Sequence, residues 1–327
     1  MATSAPHHLD YLAHIGMTDI LTVTLNPALD VLTTIDQVSD THKMRCGAVI
    51  KHPGGGGVNV ARVLHRLGAN CVALYLAGGV TGERHHKLMR AEKVRCHVLP
   101  IAEETRESFS VHETASGNDF RFVLPGPQVS VAEAEACLDY VAQHLPKQIL
   151  VISGGLAPNM PHDFYARLVQ IAKAQGVRVV LDASGPALSE ALKVGVYLFK
   201  PSLRELRDLT GQALPDTDAQ VQTARQLIHS GQAEIVAVSL GAEGAMVVSA
   251  QESWRARSIQ VDVQTTIGAG DSFVGGMVWS LARGDTLLKA FQFGMAAGAA
   301  ALLAPGTSLA QASDVHRVVP YLVTEAL

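Results

Sequence analysis

The chain has 327 residues, 48% of them hydrophobic and 17% charged, with a formal net charge of −4. This composition belongs to a well-cored globular protein of about two domains, or one large α/β domain, and excludes a disordered chain. The acidic balance argues against a nucleic-acid binder, and no apolar run reaches the ~20 residues of a membrane helix.

Cys46, Cys71, Cys96 and Cys137 form no C-x-x-C pair, which points to reduced thiols and a cytoplasmic setting. None of the fourteen histidines has metal-ligand spacing, and His85-His86 reads as exposed helix surface. Residues 1–16 lack the basic start and apolar core of a secretory signal. They read as a short extension, with Met17 an alternative start.

Ile20–Leu25 has the pattern of a buried strand, ended by Asn26-Pro27. Asp30 is expected at that strand's exit, either touching a ligand or closing a turn through an Asx-type hydrogen bond. Val31–His52 alternates without a helix signal and predicts strands outside the main α/β repeat. Lys43 and Arg45 lie on it, two apart and hence on one face if extended. They read either as solvated charges or as contacts for an anionic substrate.

Gly54-Gly55-Gly56-Gly57 leads into a helical run from Val58, so that bare backbone N–H groups can approach a ligand. This is not a Walker loop, since no Gly-Lys-Ser/Thr follows, and Val60 spoils a dinucleotide fingerprint. Asn59, in the first turn, could bond a sugar hydroxyl or cap the helix.

An α/β rhythm follows, with strands at Val72–Ala77 and Arg95–Pro100 around a helix at Gly82–Glu92. Glu107–Thr114 and Asp119–Leu124 predict a hairpin around Ser116-Gly117-Asn118, joining the 31–52 strands in a small sheet with Arg106 at its base. Helices at Val131–His144, His162–Gln175, Pro186–Val194 and Asp216–Ser230 precede strands at Gln148–Ile152, Arg178–Leu181, Val196–Phe199 and Glu234–Val238. Leu203–Leu209 is a further helix, Ala245–Ser249 and Ser253–Ala256 a second hairpin, and Leu287–Leu303 an apolar helix ended by Pro305-Gly306. Asp30, Gly154, Asp182, Lys200 and Ser239 recur after strands, and in an open α/β sheet such ends share one ligand crevice.

In Thr265–Phe273, Gly268 and Gly270 let the backbone bend tightly ahead of a buried helical run, Val274–Leu281. The first N–H groups of that helix attract an anion. Asp271 within the turn either caps the helix or accepts a proton from a neighbouring hydroxyl. An anion hole beside a base is a layout for phosphoryl transfer to an alcohol.

With both glycine stretches in this order, the chain from about Met17 onward resembles the ribokinase-like PfkB family of sugar kinases. Pro53–Asn59 and Thr266–Ser272 match its two signatures. Thr24–Asp30 and Asn59–Arg62 resemble the phosphosugar branch, which includes 1-phosphofructokinase, tagatose-6-phosphate kinase and the minor bacterial 6-phosphofructokinase. Gly56, where the first two usually have Lys, is similar to the last, as are Lys43–Cys46, Arg121–Gly126 and Val151–Gly154.

The resemblance implies an α/β, ribokinase-like three-layer sandwich over residues 17–327, with a mainly parallel central sheet. A small β-sheet lid would come from strands within about 31–52 and 106–125. It implies ATP-dependent phosphorylation of a sugar phosphate, fructose 6-phosphate first. 1-Phosphofructokinase or tagatose-6-phosphate kinase is the alternative, and a silent sugar-phosphate-binding protein the remote one. By position, Asp271 would be the base, and Gly268, Ala269 and Gly270 would hold the transferring phosphoryl group. Asp30, Gly55, Gly56, Gly57 and Asn59 would hold the sugar, Lys43 and Arg106 its phosphate, and Arg45 the phosphate of a partner subunit. Lys200, Ser202, Ser239, Gly241 and Gly244 would line the ATP site, with Glu205 ordering the water shell of Mg²⁺. K⁺ is a further implied ion, held by backbone carbonyls near Thr265, Ile267, Ala301, Ala304 and Gly306. A homodimer through the lid is expected. Two positions depart from the pattern: Ser202 replaces the Asn of Asn-x-x-Glu, and Gly155 replaces a Ser.

Overall fold

Ile20–Thr24 is buried at all five positions, as a strand covered on both faces must be. In the computed structural model, which describes residues 18–40, 42–304 and 306–327, it forms β1 near the middle of the large sheet. The expected extension, with Met17, lies outside the described residues. After β1 come β2 (Ala28–Ile35), β3 (Ile50–Gly54), α1 (Gly56–Arg66), β4 (Cys71–Ala77), α2 (Gly79–Ala91) and β5 (Cys96–Pro100). The hairpin β6 (Arg106–Glu113) and β7 (Asp119–Val123) precedes α3 (Val131–Gln143), β8 (Ile149–Ser153), α4 (Phe164–Ala174) and β9 (Arg178–Asp182). Next are α5 (Gly185–Val194), β10 (Val196–Phe199), α6 (Leu203–Thr210), α7 (Thr217–His229) and β11 (Ala233–Ser239). The chain ends with β12 (Ala245–Ser249), β13 (Ser253–Ala256), α8 (Ala269–Ala282), α9 (Leu287–Leu302), α10 (Ala312–Val318) and β14 (Thr324–Ala326).

The large sheet has the order β14-β13-β12-β11-β10-β9-β8-β1-β4-β5. It is parallel from β5 to β11 and antiparallel from β11 to β14. Alternation along each strand builds two cores. On β8, Ile149 and Val151 join Val60 of α1, Val274 and Met277 of α8 and Phe291 of α9. Leu150 and Ile152 join Cys137 of α3, Leu168 of α4, Leu188 of α5 and Ala224 of α7. Helices on both faces of one sheet make the three layers. Each such Leu, Ile or Phe contributes about 1.5–3 kcal/mol on leaving water.

The small sheet has the order β3-β2-β6-β7, with β2 and β6 parallel. Ile50 on β3 and Phe122 on β7, its two edge strands, are half exposed and point to opposite faces.

Four sequence expectations are corrected here. Asp30 neither leaves β1 nor closes a turn; it lies within lid strand β2, opposite His52 and Ser108. Lys43 and Arg45 share no strand face, because the β2–β3 connection around them has no ladder; both are exposed. His85 is fully buried, its Nε2 bonded to the Gly54 carbonyl at 3.1 Å. Burial pushes its imidazole down to about 4, which leaves it neutral. Finally, β14 extends the sheet edge where no strand was expected.

Candidate active site

Because β8, β9, β10 and β11 run parallel, Ser153, Asp182, Lys200 and Ser239 come to the same edge of the sheet. The lid sheet lies over this edge, and a cavity of about 280 Å³ sits between the two. Asp271, Asn59, Asp30, Glu205, Arg106 and Arg121 all line it, from segments that are remote in sequence.

Asp271 occupies the first turn of α8 without capping it. The N-cap is Gly268, in the left-handed region at φ 78°, and no side chain caps this end. The Asp271 carboxylate instead accepts a hydrogen bond from Asn59 Nδ2 at 2.8 Å. Burial pushes its carboxyl up to about 6, with a contribution from Asp182, while the Asn59 amide and Lys200 pull the other way. A carboxyl tuned to that range is ionised at neutral pH yet remains a competent proton acceptor. Gly268, Ala269 and Gly270 form the turn that opens this helix, beside the cavity rather than on its wall.

The glycine run bends the chain from β3 into α1. Gly55 is the N-cap at φ 120°, which a residue with a Cβ rarely adopts. At Gly56 a Cβ would lie 2.3 Å from Ser153 Oγ, so only glycine lets α1 approach the end of β8. Gly55 and Gly56 face the cavity, whereas Gly57 packs against Thr24. Asn59 does not cap α1; its amide spans to Asp271.

From the lid, Arg106 donates to the carbonyls of Leu124 (3.1 Å) and Asn26 (3.0 Å), and Arg121 reaches in from β7. Asp30 lies between these cations and the floor. Burial pushes its carboxyl up to about 6, against the pull of Arg121, Arg62 and Arg106. Lys43 and Arg45 do not line the cavity. Arg121 does, although sequence reasoning attached no role to it; its signal was its place in an alternating strand. Gly155 lies at the cavity wall with nothing within 4 Å of a Cβ, so the missing hydroxyl leaves open space.

Further along the edge, Lys200 is buried and paired with Asp182 at 3.2 Å. Burial works against its charge, but Asp182 and Glu205 outweigh that and hold the ammonium above its usual range. Ser202 bridges to Ser239, which leads into the one-turn 3₁₀ helix Gly241–Glu243 and then Gly244. Ser202 and Glu205 form a reciprocal capping box on α6: Ser202 N–H donates to Glu205 Oε2 (2.7 Å) and Glu205 N–H to Ser202 Oγ (3.2 Å). Ser-x-x-Glu is the sequence signature of that box, and it accounts for a serine at the departing position. Thr265 Oγ1 accepts from Ile267 N–H at 3.2 Å, and Gln264 N–H donates to Leu302 O at 2.7 Å. These bonds hold the turn before Gly268 against the end of α9, near Ala301 and Ala304. Among the described residues, no three His, Cys, Asp or Glu side chains converge as a metal cluster.

The sequence profile of the pfkB family carbohydrate kinases matches residues 23–313. The chain belongs to this family. As a pfkB kinase it is similar to the ATP-dependent 6-phosphofructokinase isozyme 2 of Mycobacterium tuberculosis H37Rv, at 44% identity over 92% of this chain and 89% of the relative. It is also similar to the isozyme 2 enzyme of Escherichia coli K12, at 39% identity over 94% and 99% of the two chains. More distant is the 1-phosphofructokinase of Bacillus subtilis, 31% identical over 86% of this chain and 91% of the relative. Among solved structures, Escherichia coli phosphofructokinase-2 in complex with fructose-6-phosphate superposes with a TM-score of 0.88, at 37% identity and coverage of 93% and 99%. The same Escherichia coli enzyme is known in complex with potassium and in a tetrameric inhibited form. The ribokinase-like α/β fold expected for a pfkB kinase is thus present, with its mainly parallel sheet and smaller lid sheet.

Proposed function

We propose that this kinase transfers the γ-phosphoryl group of ATP to the free primary hydroxyl of fructose 6-phosphate, giving fructose 1,6-bisphosphate and ADP. The observation that carries this reading is one cavity holding a half-buried carboxylate, Asp271, below two lid arginines, Arg106 and Arg121. The arginines suit the 6-phosphate of the acceptor, being forked donors with fixed charge. Lys43, exposed on the β2–β3 connection, would face the same phosphate once the lid closes, and Arg45 would serve the phosphosugar of a partner subunit. Asp30 and Asn59, with the backbone of Gly55, Gly56 and Gly57, would hold the sugar hydroxyls.

Asp271 takes the hydroxyl proton while the sugar oxygen forms its bond to the γ-phosphorus. The bond from that phosphorus to the β,γ-bridging oxygen breaks, and its electrons leave with ADP. The N–H groups opening α8 at Gly268, Ala269 and Gly270 receive the charge of the migrating group. Lys200, Ser202, Ser239, Gly241 and Gly244 would border the nucleotide. Magnesium bound with ATP would neutralise phosphate oxygens; the all-oxygen set of Glu205 and Asp182 suits a hard cation that keeps several waters. Glu205 would order those waters. For K⁺, the carbonyls near Thr265, Ile267, Ala301, Ala304 and Gly306 fit in that the two segments are bonded together.

Half-exposed apolar side chains on both edge strands of the lid, Ile50 and Phe122, support a homodimer, since such side chains are better covered than left in water. The four free cysteines accord with a cytoplasmic location. Among the described residues, no helix is long and apolar enough to cross a membrane. A coupled ADP-release assay over fructose 6-phosphate, fructose 1-phosphate and tagatose 6-phosphate tests the substrate. The highest kcat/KM is expected for fructose 6-phosphate. A preference for either other sugar reassigns the enzyme to 1-phosphofructokinase or tagatose-6-phosphate kinase, and no ADP with any of them leaves a binding protein.

A further inference from the structure

Arg62 lies within α1 with 1% of its surface exposed, and the chemistry above does not use it. Its Nε and Nη2 grip Glu92 at 2.6–3.0 Å, and its Nη1 donates to Pro53 O (3.0 Å), Thr307 O (3.1 Å) and Asn59 Oδ1 (3.2 Å). Arg66 also holds Glu92, at 2.9 Å. A buried ion pair of this kind gains little stability over apolar packing, because desolvation offsets its attraction.

The geometry points to Arg62 as a positioning residue that fixes which way round the Asn59 carboxamide sits, and so presents its NH₂ to Asp271. A guanidinium only donates. Nη1 therefore admits the amide oxygen of Asn59 and rejects its NH₂. With Oδ1 held on Arg62, Nδ2 is aimed at Asp271 Oδ2, and an ionised carboxylate only accepts. A flipped amide would set donor against donor at Arg62 and acceptor against acceptor at Asp271. Glu92 and the two carbonyls hold the guanidinium plane still. Among the described residues no donor engages Asp271 Oδ1, so the bond from Asn59 leaves that oxygen for the acceptor hydroxyl. The other charges facing Asp271 are Asp182, Lys200 and Asp30, on β9, at the end of β10 and on β2. None of them touches the amide.

The inference rests on Asp271 being the base, and the experiment separates the two. The readout is the acid limb of kcat/KM against pH. Arg62→Met and Arg62→Gln remove the donor-only partner, so the Asn59 amide is no longer directed. The limb is expected to move up by about one pH unit, the equivalent of one hydrogen bond to a carboxylate. Arg62→Lys, also donor-only, keeps the limb near the parent value, as does Arg66→Met, which loses Glu92 but never touched Asn59. Asn59→Ala shifts the limb by itself, and adding Arg62→Met to it shifts nothing further. Should Arg62→Met not fold, the contrast of Gln with Lys decides. A limb unmoved in Arg62→Gln, equal shifts in Gln and Lys, or a further shift in the double variant overturns the inference. The base reading falls separately, by a near-parent rate in Asp271→Asn.

Discussion

Replacing Asp271 with Asn removes the charge and keeps the shape. The new side-chain oxygen can still accept from Asn59 Nδ2, so substrate affinity should change little. Without a proton acceptor, kcat should fall by about 10²–10⁴-fold. Stability should move the opposite way. Burial and Asp182 push the Asp271 carboxyl from 3.8 up to about 6. The folded state therefore binds a proton more tightly than the unfolded chain. Its ionisation costs stability progressively as pH rises from about 4 to 6, fully so above that range, with a ceiling of ~3 kcal/mol for a shift of about two units. The carboxyl is partly open to the cleft, and solvent screening reduces this to about 1–2 kcal/mol. Scanning calorimetry at pH 8 should thus give a higher Tm for Asp271→Asn than for the parent, and the gap should close towards pH 4. The parent's kcat/KM should fall about tenfold per unit below pH 6. An Asp271→Asn enzyme within about threefold of the parent kcat, or one melting lower at pH 8, would refute the reasoning.

Arg121→Ala should raise KM for the phosphosugar by about 10–100-fold and leave KM for ATP unchanged, as steady-state kinetics with each substrate varied would show. Gly56→Ala forces a Cβ to 2.3 Å from Ser153 Oγ, and should cost about 1–3 kcal/mol in denaturant melts with a larger loss of kcat/KM. Phe122→Asp, on the half-exposed outer face of β7, should turn the expected dimer into a monomer by light scattering; an unchanged mass would place the dimer contact elsewhere.

The layered fold was legible because strands buried on both faces read as apolar or β-branched runs: β8 and β9 are mostly Val, Ile and Leu, and β1 interrupts them only with Thr. Gly268–Asp271 was legible because a helix entered through glycines has few other uses. Asp30 was misplaced because only three residues separate β1 from β2, and Asn26-Pro27 looks like the close of a unit rather than a step from one sheet to another. β14 went unseen since three residues, two of them exposed, carry no period. His85 looked superficial beside His86, because α2 carries most of its polar residues on the outside and its burial is set by the lid edge at Gly54. The tie between Arg62 and Glu92 joins two helices across the fold and has no local signature at all.

Parallel pairing of β2 with β6 sets Ala28 opposite Arg106, so the floor of the lid is stitched from two excursions that leave the main body far apart along the chain. Closing so long a loop is entropically unfavourable until the intervening units have condensed. During synthesis, a nascent chain halted short of residue 113 would carry β2 with one flank unzipped, and so a bare ladder for stray partners. The roof of the sugar cleft is therefore the part of this kinase whose shape matures late, and the part most in need of prompt completion.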